Sequence, residues 1–309
     1  MTPDHKRRSV LKMVVALSLP PIATLARAEQ SRATQVLRRP IHSSGEQLPM
    51  IGLGTYQSFA VGSSQRDRDP LREVLRELVR LGGSVIDSSP MYGSSEGVVG
   101  DLSDELKLRP QLFMATKVWT SGKNQGIDQM NESFREMRVR VMDLMQVHNL
   151  VDWRTHANTL EDWKERGKIR YTGVTHYHSG AYANLESIMK LRRFDFAQFN
   201  YSIVEREAEQ RLLPAALDNG TAVIINRPFA AGGLFRRVRG EALPPWAAEF
   251  DCTSWAQFFL KYIVSHPAVT CAIPATSKPK HLIDNMAAGY GRLPDEATRK
   301  RMRMVIDSL

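Results

Sequence analysis

Two cysteines in 309 residues leave little room for metal or disulfide chemistry. Cys252 and Cys271 have neither metal-ligand spacing nor a CxxC partner, which excludes a structural zinc site. Both are read as buried free thiols, and a single disulfide between them stays open because sequence gives no distance. No GxGxxG opens a helix early in the chain, which counts against a doubly wound dinucleotide fold. A long apolar run is also missing: Met13 to Leu25 is short for a spanning helix of about 20 residues and is broken by Pro20-Pro21. Nor is there a strong excess of one charge. Of the formal +9, much sits in Lys6, Arg7, Arg8, Lys12 and Arg27, and about +5 remains beyond residue 28. That remainder is scattered among Asp and Glu and does not point to nucleic acid. The one dense later cluster, Arg236, Arg237 and Arg239, reads as a solvated loop face.

The amino terminus is more informative. A charged stretch ends in Arg7-Arg8-Ser9-Val10-Leu11-Lys12, the apolar run follows, and Ala26-Arg27-Ala28 closes it. This pattern reads as a twin-arginine signal peptide over residues 1–28, cleaved after Ala28. It implies the Tat translocase as a transient partner and the periplasm as destination, with a retained anchor as the alternative. Twin-arginine export carries folded proteins, often with a cofactor inside, so the leader itself hints at a bound cofactor. A basic linker over 29–40 and one domain over 41–309 complete the expected organisation.

Within that domain eight short apolar runs alternate with eight amphipathic stretches. The runs are Met50 to Gly54, Ser84 to Asp87, Leu112 to Lys117, Leu144 to His148, Ile169 to Thr175, Phe196 to Asn200, Ala222 to Asn226 and Val269 to Pro274. The helical stretches begin near Pro70, Ser94, Gly126, Thr155, Ser179, Glu207, Cys252 and Lys278, with Asp69 expected to cap the first. Strands buried on both faces and separated by helices imply a parallel sheet, and eight such units fit an α/β fold of the (β/α)8 TIM barrel type. An open doubly wound sheet is the competing architecture. Pro228 to Asp251 is the longest irregular segment and is expected to be a lid or binding loop.

Barrel enzymes place catalytic side chains at the carboxyl ends of strands. Asp87, Lys117 and His148 end the second, third and fourth runs, and Tyr92 follows Asp87 in a Pro-Met-Tyr-Gly turn. Each alone has an ordinary structural reading: cap acid, rim lysine, core histidine, turn aromatic. Together they suit carbonyl chemistry, which needs a proton donor beside the carbonyl oxygen. A tyrosine near pKa 10 is a poor acid at neutral pH; an adjacent ammonium lowers it, and a buried aspartate keeps that ammonium charged. The histidine can hydrogen-bond and orient the same oxygen.

Ile86-Asp87-Ser88-Ser89-Pro90-Met91-Tyr92-Gly93, Ala115-Thr116-Lys117 and Gln146-Val147-His148-Asn149 resemble the motifs of the aldo/keto reductases. The resemblance covers essentially the whole mature chain. It implies a catalytic tetrad of Asp87, Tyr92, Lys117 and His148, with Tyr92 as general acid and base and hydride exchanged between nicotinamide and a carbonyl carbon. It further implies that Gly54 and Thr55, in Gly52-Leu53-Gly54-Thr55-Tyr56, lie near the nicotinamide, and that Thr175 and Gln198 contact its carboxamide. His176 stands where the family usually has asparagine, and Asn226 where many members have a stacking tyrosine; Phe229 is a candidate to compensate. Thr276, Ser277, Lys278 and His281 match the adenosine phosphate segment, and Asp284 and Asn285 the adenine contacts. The resemblance favours NADP(H) and leaves NAD(H) open, because many NADP-preferring members carry arginine at the position of His281. Tyr56, Trp119, Trp153 and Phe229 are candidate substrate walls, suited to an aldehyde or ketone of modest polarity. No resident metal is implied, and a monomer is. A nucleotide-binding sensor or accessory barrel without turnover, and a lectin-like or scaffolding barrel without cofactor, are the alternative functions.

Overall fold

The computed structural model describes residues 35–309; the stretch read from sequence as an export leader, with its expected cleavage site, lies outside the described residues. The chain enters through an antiparallel hairpin, β1 (Arg38–Pro40) and β2 (Gln47–Pro49), which begins inside the stretch read as linker. Ile41 and Leu48 of this hairpin are buried in one cluster with Val85, Phe113, Leu144, Phe196 and Ile224, side chains of the sheet interior. The hairpin thus closes one end of the fold with its apolar side chains.

Eight parallel strands follow: β3 (Leu53–Gly54), β4 (Val85–Asp87), β5 (Phe113–Val118), β6 (Met142–His148), β7 (Ile169–Thr175), β8 (Phe196–Asn200), β9 (Ala222–Asn226) and β10 (Cys271–Ala272). They hydrogen-bond in sequence order from β3 to β10. Parallel bridges Ile51 to Ala272 and Gly54 to Ala275 bring the sheet's two ends together, so the architecture is a (β/α)8 barrel. Close approach at this seam requires glycine at Gly54, where an added Cβ would lie 2.8 Å from the Ile273 carbonyl oxygen.

Helices cover the barrel: α1 (Gln65–Arg80), α2 (Ser95–Glu105), α3 (Lys123–Glu136), α4 (Trp153–Glu165), α5 (Tyr182–Met189), α6 (Leu212–Asn219), short α7 (Gly233–Arg237), α8 (Trp255–Val264), α9 (Pro279–Ala287) and α10 (Glu296–Asp307). In α1, Leu71, Val74, Leu75 and Leu78 are buried at helical spacing while its Arg and Glu side chains stay outside. This helix starts five residues before Pro70, against the expected cap at Asp69: Ser64 is the N-cap and Pro70 lies inside. The extra turn is held by Arg68, which donates to Asp101 of α2 at 2.9 Å and to the Gly62 carbonyl at 2.9 Å. The second large apolar cluster lies between helices and barrel wall and includes Leu75, Val99, Met145, Trp163 and Phe258. Both cysteines are buried and free, and burial pushes the Cys252 thiol up to about 11. Pro228 to Asp251 is not wholly irregular, since it carries α7 and two 3-10 turns.

Candidate active site

The parallel register aligns the polar strand ends at one level of the barrel. Gly54 pairs with Asp87, Asp87 with Ala115, and His148 with Thr175, which pairs with Gln198. A cavity of about 950 Å³ opens at this end, lined by residues from β3 to the first turn of α9.

Lys117 and Asp87 form its electrostatic centre. Lys117 Nζ is fully buried and donates to Asp87 Oδ2 and to the Ser88 carbonyl, each at 2.6 Å. The other Asp87 oxygen, Oδ1, accepts from Gln146 Nε2 and Gln198 Nε2, both at 2.9 Å. The carboxylate is therefore saturated by one cation and two amides, the condition under which a buried charge is tolerated. Burial pulls the Lys117 ammonium down, but Asp87 and Tyr92 outweigh it, so its pKa lies above the ordinary lysine value.

Tyr92 stands over this pair, with Lys117 Nζ 5.0 Å from its ring centroid. Burial raises the phenol's pKa; Lys117 opposes that rise without cancelling it. The lowering expected from the lysine is thus present but is the smaller effect, and Tyr92 keeps its proton at neutral pH. His148 faces Tyr92 edge-on, ring centroids 5.9 Å apart. Burial, reinforced by the positive field of Lys117 and by His176, drops His148 to about 2, so its imidazole is neutral. The arrangement offers a carbonyl oxygen one acid and one neutral ring donor above a buried cation.

A family model described as the aldo/keto reductase family matches residues 50–302. The chain belongs to the aldo/keto reductase family. Methylglyoxal reductase YeaE of Escherichia coli is 28% identical over 81% of this chain and 89% of its own length. Aldo-keto reductase YhdN of Bacillus subtilis is 27% identical over 65% of this chain; the match spans 64% of that protein. A solved aldo/keto reductase from Klebsiella pneumoniae, in complex with NADP and acetate, superposes with a TM-score of 0.74 at 25% identity, covering 87% of this chain and 96% of its own. This aldo/keto reductase is accordingly an oxidoreductase acting between carbonyl and alcohol.

The cavity of this reductase gathers most residues singled out from sequence. Gly54, Thr55, Tyr56, Asp87, Tyr92, Trp119, His148, Thr175, Gln198, Asn226, Phe229, Thr276, Ser277, Lys278 and His281 all line it, and Lys117 lies directly beneath. Four others are placed elsewhere. Trp153 is the first residue of α4 and packs on the outer core with Arg154 over its ring. Asp284 is committed to the start of α8: its carboxylate accepts from Ser254 Oγ at 2.8 Å and Gln257 Nε2 at 2.7 Å. Asn285 is buried within α9, outside the lining. His176 packs against His178, ring centroids 4.4 Å apart, and its Nδ1 accepts the Tyr177 amide.

Gln198 differs from expectation in another way. Its Nε2 serves Asp87 and Gln146, while its Oε1 accepts from Thr175 and Asn226. The amide with spare capacity is Asn226, whose Nδ2 donates to the His176 carbonyl at 3.0 Å while its Oδ1 is buried without a partner. Sequence reading overlooked Gln146 and Ser89 as site residues, although both lie two positions from named ones. Strand alternation already places Gln146 on the face of His148.

Proposed function

We propose that this protein is an NADP(H)-dependent reductase of aldehydes and ketones, able to run in reverse. The observation that carries the reading is the fully buried Lys117–Asp87 pair beneath Tyr92, at the floor of the cavity. A structural barrel gains nothing from an ion pair whose desolvation offsets much of its attraction. Tyr92 donates its phenolic proton to the substrate oxygen as charge develops there, Lys117 stabilises the phenolate left behind, and Asp87 holds Lys117 in place. Neutral His148 orients the oxygen through a ring N–H.

The residues present suit a nicotinamide dinucleotide, which when bound supplies or accepts the hydride. The orphaned Asn226 Oδ1 suits a carboxamide N–H. At the far end Thr276, Ser277 and Lys278 precede the amino terminus of α9, where backbone amides and the lysine favour phosphate. Tyr56, Trp119 and Phe229 flank the cavity with aromatic surface that suits a substrate of modest polarity. Fluorescence titration of the purified protein is expected to give about tenfold tighter binding of NADPH than of NADH. Tighter NADH would refute the cofactor preference, and binding of neither would sink the reading.

Export completes the proposal: the enzyme works in the periplasm, delivered folded by the Tat translocase. Replacing Arg7 and Arg8 together by lysine is expected to hold the precursor in the cytoplasm, read by cell fractionation. Undiminished periplasmic delivery of that variant would remove the twin-arginine claim.

A further inference from the structure

Ser89 is fully buried between the Asp87 strand end and Tyr92 and is absent from the chemistry described above. Its backbone carbonyl accepts the Tyr92 amide at 3.0 Å, closing the turn that carries the acid. Its hydroxyl lies 2.9 Å from His148 Nδ1 and accepts a longer bond from the Met91 amide at 3.4 Å. One residue therefore touches both groups that meet the substrate oxygen.

The proton positions follow from accounting. A buried hydroxyl needs an acceptor for its own hydrogen. Among the described residues the acceptor within hydrogen-bond distance of Ser89 Oγ is His148 Nδ1. If Nδ1 carried the ring proton, Ser89 would have to accept it, and the hydrogen of this fully buried hydroxyl would have no acceptor among the described residues. If Ser89 donates instead, Nδ1 is the unprotonated nitrogen and the single proton of the neutral ring sits on Nε2. That nitrogen makes no hydrogen bond to any described residue, and His148 lines the cavity.

We propose that Ser89 is a positioning residue: its hydroxyl donates to His148 Nδ1, selects the Nε2–H tautomer and fixes the ring's angle, so that His148 meets a substrate oxygen as a donor. The kinetic part rests on the carbonyl-reduction reading above; the tautomer part does not. Ser89 thereby sets His148 and Tyr92 relative to each other through one hydroxyl and one carbonyl.

The test is Ser89→Ala, with Ser89→Thr as the variant that restores a hydroxyl. Long-range proton–nitrogen NMR of the purified protein reads the His148 tautomer, the signal being identified by its loss in His148→Gln. Wild type is expected to show Nε2–H, Ser89→Ala to lose that single state, and Ser89→Thr to regain it. With NADPH and methylglyoxal, kcat of Ser89→Ala is expected to fall about tenfold, with KM and NADPH affinity little changed, and to recover in Ser89→Thr. An unchanged His148 spectrum in Ser89→Ala overturns the proposal whatever the rate does. If wild type reduces no carbonyl while binding NADPH, the functional reading fails instead, and the NMR comparison still decides the role of Ser89.

Discussion

Tyr92→Phe is expected to lower carbonyl reduction by about 10³-fold while leaving NADPH binding within a factor of about two. The ring keeps its packing against Tyr56, whose centroid is 5.0 Å away, and against His148, so only the phenolic hydroxyl is removed. The asymmetry is what makes the variant informative. A cofactor-binding barrel without turnover would have no reductase rate for the substitution to lower. The pH profile of the wild type adds a sign. Because burial holds the phenol above its ordinary value of 10.0, the acid form persists throughout the neutral range. Reduction limited by proton donation should therefore stay level through neutrality and decline only as pH rises past the usual tyrosine range. His148, at about 2, contributes no step between pH 5 and 8. A rate that instead falls as pH rises through 6 to 7 would point to a titrating histidine as the acid.

Lys117→Met carries the second large effect, on stability as well as rate. Removing the cation leaves the buried Asp87 carboxyl without its counter-charge, retaining only the two amide donors Gln146 and Gln198. Breaking one side of a buried pair costs about 3–5 kcal/mol, and the surviving donors place this case near about 3. In a barrel of this size the loss corresponds to a melting temperature lower by roughly 6–12 °C, measured by circular dichroism. Activity should fall at least as far as in Tyr92→Phe, because the phenolate formed on proton transfer loses its nearest positive charge. Asp87→Asn with Lys117→Met, which removes both charges, should recover much of the stability and none of the rate. Recovery of rate in the double variant would show that the pair is structural.

The barrel was legible because parallel strands buried on both faces leave continuous apolar runs. β7, β8 and β9 cover the same residues as their runs, whereas β3 and β10 are shorter, because pairing at the seam where they meet reduces to isolated bridges. The first turn of α1 was missed since Gln65 to Asp69 is wholly polar and carries no apolar period. The hairpin was missed for a related reason: Arg38–Pro40 is largely exposed and its partner strand is three residues long.

Asp87, Lys117 and His148 stood out because strand ends in a barrel converge, so a local feature of each run has a global consequence. Competition for a side chain has no such signature. Nothing near Asp284 announces that Ser254 and Gln257, about thirty positions earlier, occupy its carboxylate. Nothing at Gln198 reveals that Asp87 and Gln146 consume both its amide protons. Trp153 was misplaced because a residue five beyond a strand end can sit on the rim or already in the next helix, and here left-handed turns at Asn149, Leu150 and Asp152 put it at the start of α4.

In the proposed reaction hydride passes from the nicotinamide to a carbonyl carbon in this cavity while Tyr92 donates the proton. The most direct measurement is a single turnover of the wild-type protein and of Tyr92→Phe, each loaded with NADPH deuterated at the transferable position and mixed with methylglyoxal or 4-nitrobenzaldehyde. The wild type is expected to yield an alcohol carrying deuterium on the former carbonyl carbon, while Tyr92→Phe retains its deuterated nucleotide over the same time. Label in the alcohol at equal rates from both proteins would rule out Tyr92 as the proton donor, and bound NADPH that labels neither alcohol in the wild type would rule out carbonyl reduction.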